Sequence, residues 1–147
     1  MIHIEAKLIS RIERHAERDY PHECGGMLIG KFSSDGEKTV VETFPLENAR
    51  EEEVRHNRVL ILPKDVLRAE RYAREKLLDV IGYYHSHPDE VAVPSQYDLE
   101  HAWPVWSYVI ASVIGGKAVD VRSWVMENDR SKFNEEQIEK VLNASDN

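Results

Sequence analysis

The stretch Tyr108–Ile114, Tyr-Val-Ile-Ala-Ser-Val-Ile, constrains the fold more than any other. It shows no alternation of apolar and polar residues, as expected of a strand covered on both faces. Gly115-Gly116 turns it into a second strand, Ala118 to Met126. Upstream, Gly25 to Phe32 reads as a short apolar strand, and Ser33 to Gly36 as a turn. Thr39 to Phe44 is β-rich and pairs back as a hairpin. Val59 to Leu62 resumes a strand that Pro63 closes, and Val80 to His87 reads as another.

Helical spacing separates these strands. Ile4, Leu8, Ile12 and Ala16 recur every four residues, with Ile9 beside them, so an amphipathic helix is expected from about Glu5 to Arg18. Pro21 marks its end. Val66, Leu67, Ala69, Tyr72, Ala73 and Leu77 follow the same period. Near the C-terminus, Asn134 can cap, Gln137 sits at N3, and Phe133 and Ile138 occupy staple positions. These signals predict a helix from about Glu135 to Ala144. Leu46 to His56, with Glu51-Glu52-Glu53 inside it, reads as a solvated loop. Helices and strands alternate in part, and strands also pair sequentially, which favours a mixed α/β sandwich over an all-parallel sheet.

A chain of 147 residues suits one domain. Its single cysteine, Cys24, permits no internal disulfide and no Cys-rich zinc finger, and fits a reducing compartment. Lys and Arg number 19 against 27 Asp and Glu, a formal net charge of -8. That field repels phosphate, so nucleic acid is not an expected partner. No apolar run approaches a membrane span, and charged residues interrupt Met1 to Glu17, so no signal peptide is read. The expectation is a cytoplasmic protein with no membrane partner.

The chemistry-bearing segment is His85-Ser86-His87-Pro88, followed by Ser95-Gln96-Tyr97-Asp98. In a strand, residues i and i+2 share a face, so two imidazoles there can converge on one ion. A short loop and one helical turn can return the Asp98 carboxylate to the same point. A lone His-x-His is also common as a structural or exposed pair. Ser95 is a good N-cap, and an acidic residue at N3 suits a helix N-terminus, a reading compatible with the first. A hydrolytic metal site needs three protein ligands, one open position and a base that is not a ligand. Glu23 is the best candidate for that base, although it can equally be a surface carboxylate at a loop end. Cys24 points to the opposite face and reads as a small buried residue.

Glu23, then His85-Ser86-His87-Pro88, then Ser95 and Asp98 resemble the signature of the JAMM (MPN+) metallopeptidases. The likeness extends from Leu8 to about Met126. It implies an α/β fold with a mixed, mostly antiparallel sheet flanked by helices, a cytidine-deaminase-like sandwich filling residues 1–147 as a single JAMM/MPN domain. It implies one zinc ion on His85, His87 and Asp98. Glu23 would take a proton from the attacking water and deliver it to the leaving amine, and Ser95 would help stabilise the oxyanion. Ser86, the variable residue of the motif, receives no role. The segment Asp19 to Gly25 looks most like prokaryotic stand-alone members that release cysteine from a sulfur-carrier protein. The implied partner is thus a ubiquitin-like or sulfur-carrier protein with a Gly-Gly tail, cut at a peptide or isopeptide bond.

Other zinc patterns are missing. There is no His-Glu-x-x-His and no Cys-x-x-Cys, and Glu90 stands where a metallo-β-lactamase-like site needs its next histidine. A non-catalytic MPN-type module that binds ubiquitin-like proteins is the alternative reading. Family members of that kind typically lack part of the set, which is complete here.

Overall fold

In the computed structural model, which describes residues 1–47 and 63–142, the chain runs β1 (Ile2–Glu5), α1 (Ala6–Asp19), β2 (Gly25–Phe32), β3 (Lys38–Leu46), α2 (Pro63–Glu75), β4 (Asp79–Pro88), α3 (Gln96–His101), β5 (Ser107–Ile114), β6 (Lys117–Met126), β7 (Phe133–Glu136) and β8 (Ile138–Val141). The strands form one sheet in the order β7-β6-β5-β4-β2-β3-β1-β8. The β2–β3, β2–β4, β5–β6 and β6–β7 pairs are antiparallel. The β1–β3, β1–β8 and β4–β5 pairs are parallel. The mixed, mostly antiparallel α/β sandwich expected from the sequence is therefore present. The strand expected at Val59 to Leu62 and nearly all of the loop expected at Leu46 to His56 lie outside the described residues. Among the described residues, no helix is long and apolar enough to cross a membrane.

The continuous apolar run in β5 is covered on both faces, as its pattern requires. Val109, Ala111 and Val113 pack with Leu8, Ile9, Ile12 and Ala16 of α1 on one face. Tyr108 turns to the other face and packs with Ala102 and Met126. That second face also carries Met27 of β2 against Ala69 of α2. The two faces are sorted on β4 by a bulge. Leu28 pairs with Gly82 but Ile29 pairs with Val80, so Ile81 is an extra residue. Side chains alternate with period two, so one inserted residue exchanges the faces of everything beyond it. Tyr84 thus joins the core under α1, while Tyr83, His85 and His87 face α2 and α3. Gly25 and Gly26 leave space for the two tyrosines: a Cβ would stand 2.6 Å from Tyr83 Oη and 2.3 Å from Tyr84 Cε2.

The C-terminal helix expected over Glu135 to Ala144 is absent; β7 and β8 occupy that segment as far as Val141. Only Gln137 separates two strands that stand at opposite ends of the sheet, so those ends are brought together and the sheet curls on itself. Gln137 O accepts from Ile2 N at 3.0 Å. The override is tertiary. Glu136 accepts from Ser107 Oγ at 2.6 Å and Ser123 Oγ at 2.9 Å, and lies 3.6 Å from Lys38 Nζ. Those partners are 13 or more residues away, where local capping rules do not see them. Two ends shift more modestly. The first helix begins at Ala6, because Ile2–Glu5 pairs as β1, and Pro63 belongs to α2. Proline is tolerated in the first turn of a helix, where its missing N–H costs little.

Candidate metal centre and cleft

The β2–β4 ladder runs Gly26↔Tyr84 and Gly25↔His85. It continues one step further in altered form, with Ser86 N donating to Cys24 O at 3.1 Å. His85 and His87, two residues apart on β4, share the face toward α3, and Glu23 lines the same cleft as His85 and Asp98. Cys24 turns the other way and is 1% exposed; burial pushes its thiol up to about 12, so it is no nucleophile.

After His87 the chain leaves the sheet through Pro88 and Asp89, which sits at φ 56°. Tyr20 Oη and Gly115 N both donate to the Asp89 carboxylate, at 2.7 and 2.9 Å. Three side chains hold the next residues by their carbonyls. Ser112 Oγ donates to Glu90 O at 2.5 Å, His87 Nδ1 contacts Val91 O at 2.9 Å, and Trp124 Nε1 donates to Ala92 O at 3.0 Å. The chain thus returns to Ser95 on a fixed path. Ser95 caps α3 in a full capping box: its Oγ accepts from Asp98 N at 3.1 Å, and its own N–H donates to Asp98 Oδ2 at 2.8 Å. The cap aims the carboxylate at the histidines.

Asp98 Oδ1 lies 3.2 Å from His85 Nε2, and Asp98 Oδ2 lies 3.2 Å from His87 Nε2. One ligand atom from each residue falls within 4.8 Å of the other two. The hydrogen-bond arithmetic at His87 is decisive. A carbonyl can only accept, so the Nδ1 facing Val91 O carries the proton. In a neutral ring Nε2 then presents a lone pair to a carboxylate oxygen. Two acceptors at that distance repel unless a cation lies between them. His85 repeats the problem, because both of its ring nitrogens are buried without a hydrogen-bond partner despite the closeness of Asp98. A proton is one solution. Burial opposes charge on His87, but Asp98 and the Val91 carbonyl outweigh it and raise its pKa. Burial likewise pushes Asp98 up, yet the charge of His85 and contacts from both histidines and Ser95 N–H hold it well below the carboxylate range. A metal ion is the other solution. Donors around a tetrahedral ion with bonds of 2.0–2.1 Å stand about 3.3 Å apart, close to the spacing seen. The residues present fit a metal.

A cleft of about 400 Å³ opens beside this group. Glu23, His85 and Asp98 line one part of it, and Tyr97, Trp103 and Trp106 continue it. Tyr83 stacks on His85 with ring centroids 5.4 Å apart. Burial, with the charge of Glu23, raises the Tyr83 hydroxyl well above its ordinary pKa. The structure thus brings all five site residues read from the sequence to one place. Sequence reasoning missed the loop anchors. Ser112, the serine interrupting an apolar run, was the one available signal. A buried hydroxyl there needs an acceptor, and it finds one in the loop.

An α/β sandwich that gathers His85, His87 and Asp98 at ligand spacing, at the wall of an open cleft, defines a class of protein whose donor set could hold a metal where substrate can reach it. The chain belongs to the prokaryotic homologues of the JAB domain, whose family model matches residues 5–127. It is 36% identical over 110 residues to a desampylase of Haloferax volcanii, covering 74% of this chain and 75% of that protein. It is 28% identical over 119 residues to a probable TtuB-protein conjugate cleaving protease of Thermus thermophilus, covering 80% and 74%. A protein of Desulfitobacterium hafniense, solved in solution, superposes with a TM-score of 0.81 at 29% identity, covering 97% of this chain and 93% of that one. The resemblance read from the motif holds, and the chain is an enzyme of the hydrolase class.

Proposed function

We propose that the protein is a zinc-dependent isopeptidase that hydrolyses the bond between the C-terminal Gly-Gly of a ubiquitin-like or sulfur-carrier protein and an amine. The observation that carries this reading is the pair of imidazole nitrogens held 3.2 Å from one carboxylate, a three-residue donor set at metal-ligand spacing in which both ring nitrogens of His85 are buried without a hydrogen-bond partner. His85, His87 and Asp98 would hold the zinc. Bound there, zinc lowers the pKa of water and polarises the scissile carbonyl. The chain supplies the rest. Glu23, outside the ligand set, takes a proton from the attacking water and returns it to the departing amine. The Ser95 Oγ accepts from Asp98 N, which leaves its O–H free to donate to the developing oxyanion. The aromatic walls of the cleft exclude water and take a thin, extended tail. Relatives named for acting on conjugates of small protein modifiers support this substrate class. We read residues 1–147 as a single JAB domain acting in the cytoplasm.

The test uses a small ubiquitin-like carrier ending in Gly-Gly. It is joined either through an isopeptide bond to the lysine of a fluorescent peptide or through a peptide bond to a terminal cysteine. Mass analysis should show cleavage by the zinc-loaded protein, loss of cleavage with a chelator and recovery on adding zinc. Tight binding of both conjugates with cleavage of neither would instead favour the non-catalytic module.

A further inference from the structure

The β2–β4 ladder changes character at the residue beside the proposed base. Ser86 N donates to Cys24 O at 3.1 Å, but the reciprocal donor, Cys24 N, goes to the Ser86 side chain, with Oγ at 2.8 Å. A regular antiparallel pair exchanges both bonds through main-chain atoms. Here a hydroxyl stands in for a carbonyl, and the strand leaves the ladder along that bond. Ser86 is 0% exposed and Cys24 1%, so water does not replace the acceptor. The N–H in question belongs to the peptide that joins Glu23 to Cys24. Its orientation sets the backbone from which the Glu23 side chain departs into the cleft.

We infer that Ser86 is a positioning residue, whose hydroxyl fixes the Glu23–Cys24 peptide and so places the Glu23 carboxylate for proton transfer. This rests on the base assigned to Glu23 above. Ser86 points to the α1 face, away from the histidines, and touches neither substrate nor metal. Without its hydroxyl, the Cys24 N–H either stays unpaired in the core or swings to the Ser86 carbonyl. The swing would convert the step into an ordinary ladder pair and carry Glu23 with it. A displacement of about 1 Å at a catalytic group can cost roughly 10² in rate.

The experiment is a double-mutant cycle on the zinc-loaded protein with the isopeptide-linked carrier, reading kcat, KM and zinc content. Ser86→Ala should lower kcat by about 10 to 10² with KM and zinc stoichiometry unchanged. In a Glu23→Gln background the same substitution should have no further effect, because the group it positions is already gone. If Ser86→Ala does not fold, Ser86→Cys, which fills similar space with a weak acceptor, carries the same expectation. Two results overturn the inference alone: a normal kcat in a Ser86 variant while Glu23→Gln is slow, or losses that multiply in the double variant. A Glu23→Gln enzyme at full rate overturns the base assignment and takes this inference with it.

Discussion

Two partly buried carboxylates lie against this sheet in contrasting surroundings, Asp98 beside β4 and Glu136 where β7 meets β6. Their side chains are 14% and 8% exposed. Glu136 meets only donors: two serine hydroxyls, the Lys38 ammonium and the N-terminal ammonium of Met1. Asp98 meets one backbone donor and two imidazole nitrogens, each 3.2 Å from one of its oxygens. The buried histidines divide in the same way. His15 has Tyr84 Oη 2.7 Å from Nδ1 and Asp19 3.4 Å from Nε2, whereas His85 has no hydrogen-bond partner. A saturated polar cluster joins strands. An unsaturated one, opening on a cleft, has the donors to take up a group that is not part of the chain.

The sharpest way to break the contrast is to neutralise each carboxylate in turn. Asp98→Asn should reduce cleavage to background and weaken zinc binding by more than about 10²-fold, with the circular dichroism of the fold retained. Zinc titration against a competing chelator checks it; unchanged affinity would mean that Asp98 is not a ligand. Glu136→Gln should do the opposite. It leaves Lys38 buried without its counter-charge, which costs about 3 kcal/mol of stability or more, while zinc content and kcat at 25 °C stay at the wild-type level. Urea unfolding and a turnover assay on one preparation decide it.

Ser95 tests whether one residue can serve both kinds of region. As a cap alone, Ser95→Ala should cost about 1 kcal/mol and leave chemistry nearly intact. As an oxyanion donor it should cost roughly 10² to 10³ in kcat. We expect the larger rate loss, with zinc retained; a shifted melting point with normal single-turnover cleavage would leave Ser95 a cap only. The smallest effect concerns His15. Burial lowers its pKa below 6.5, even though Asp19 pulls the other way. The unfolded chain therefore binds the extra proton first. The stability is fully present above about pH 6.5 and is lost as pH falls toward the folded pKa. Tm should drop between pH 7 and 5.5, and His15→Gln should reduce that slope by a few degrees at most, since about 1 kcal/mol moves Tm by roughly 2–4 °C in a chain of this size. Identical slopes in both proteins would remove His15 from the account.

Much of this site was readable from the chain itself because its rules are local. Alternation on a strand puts His85 and His87 on one face, and a Ser-x-x-Asp cap fixes Asp98 relative to Ser95. Each rule spans four residues or fewer, and each survives folding unchanged. The unbroken apolar character of Tyr108–Ile114 likewise announced a strand with both faces covered. What the sequence did not yield depends on which distant strand lies alongside. Phe133 to Ile138 carries sound helix signals, yet Lys38, Ser107 and Ser123 recruit Glu136 into a strand that closes the sheet. The bulge at Ile81 decides which face the histidines take, and it exists only as a mismatch between β2 and β4. Ser86 gains its role solely because the strand before Gly25 departs from the ladder opposite it. Short-range periodicity determines which residues share a face. Only the assembled sheet decides what that face meets, because hydrogen-bond acceptors and charges far apart in the chain must first be brought within about 3 Å of one another.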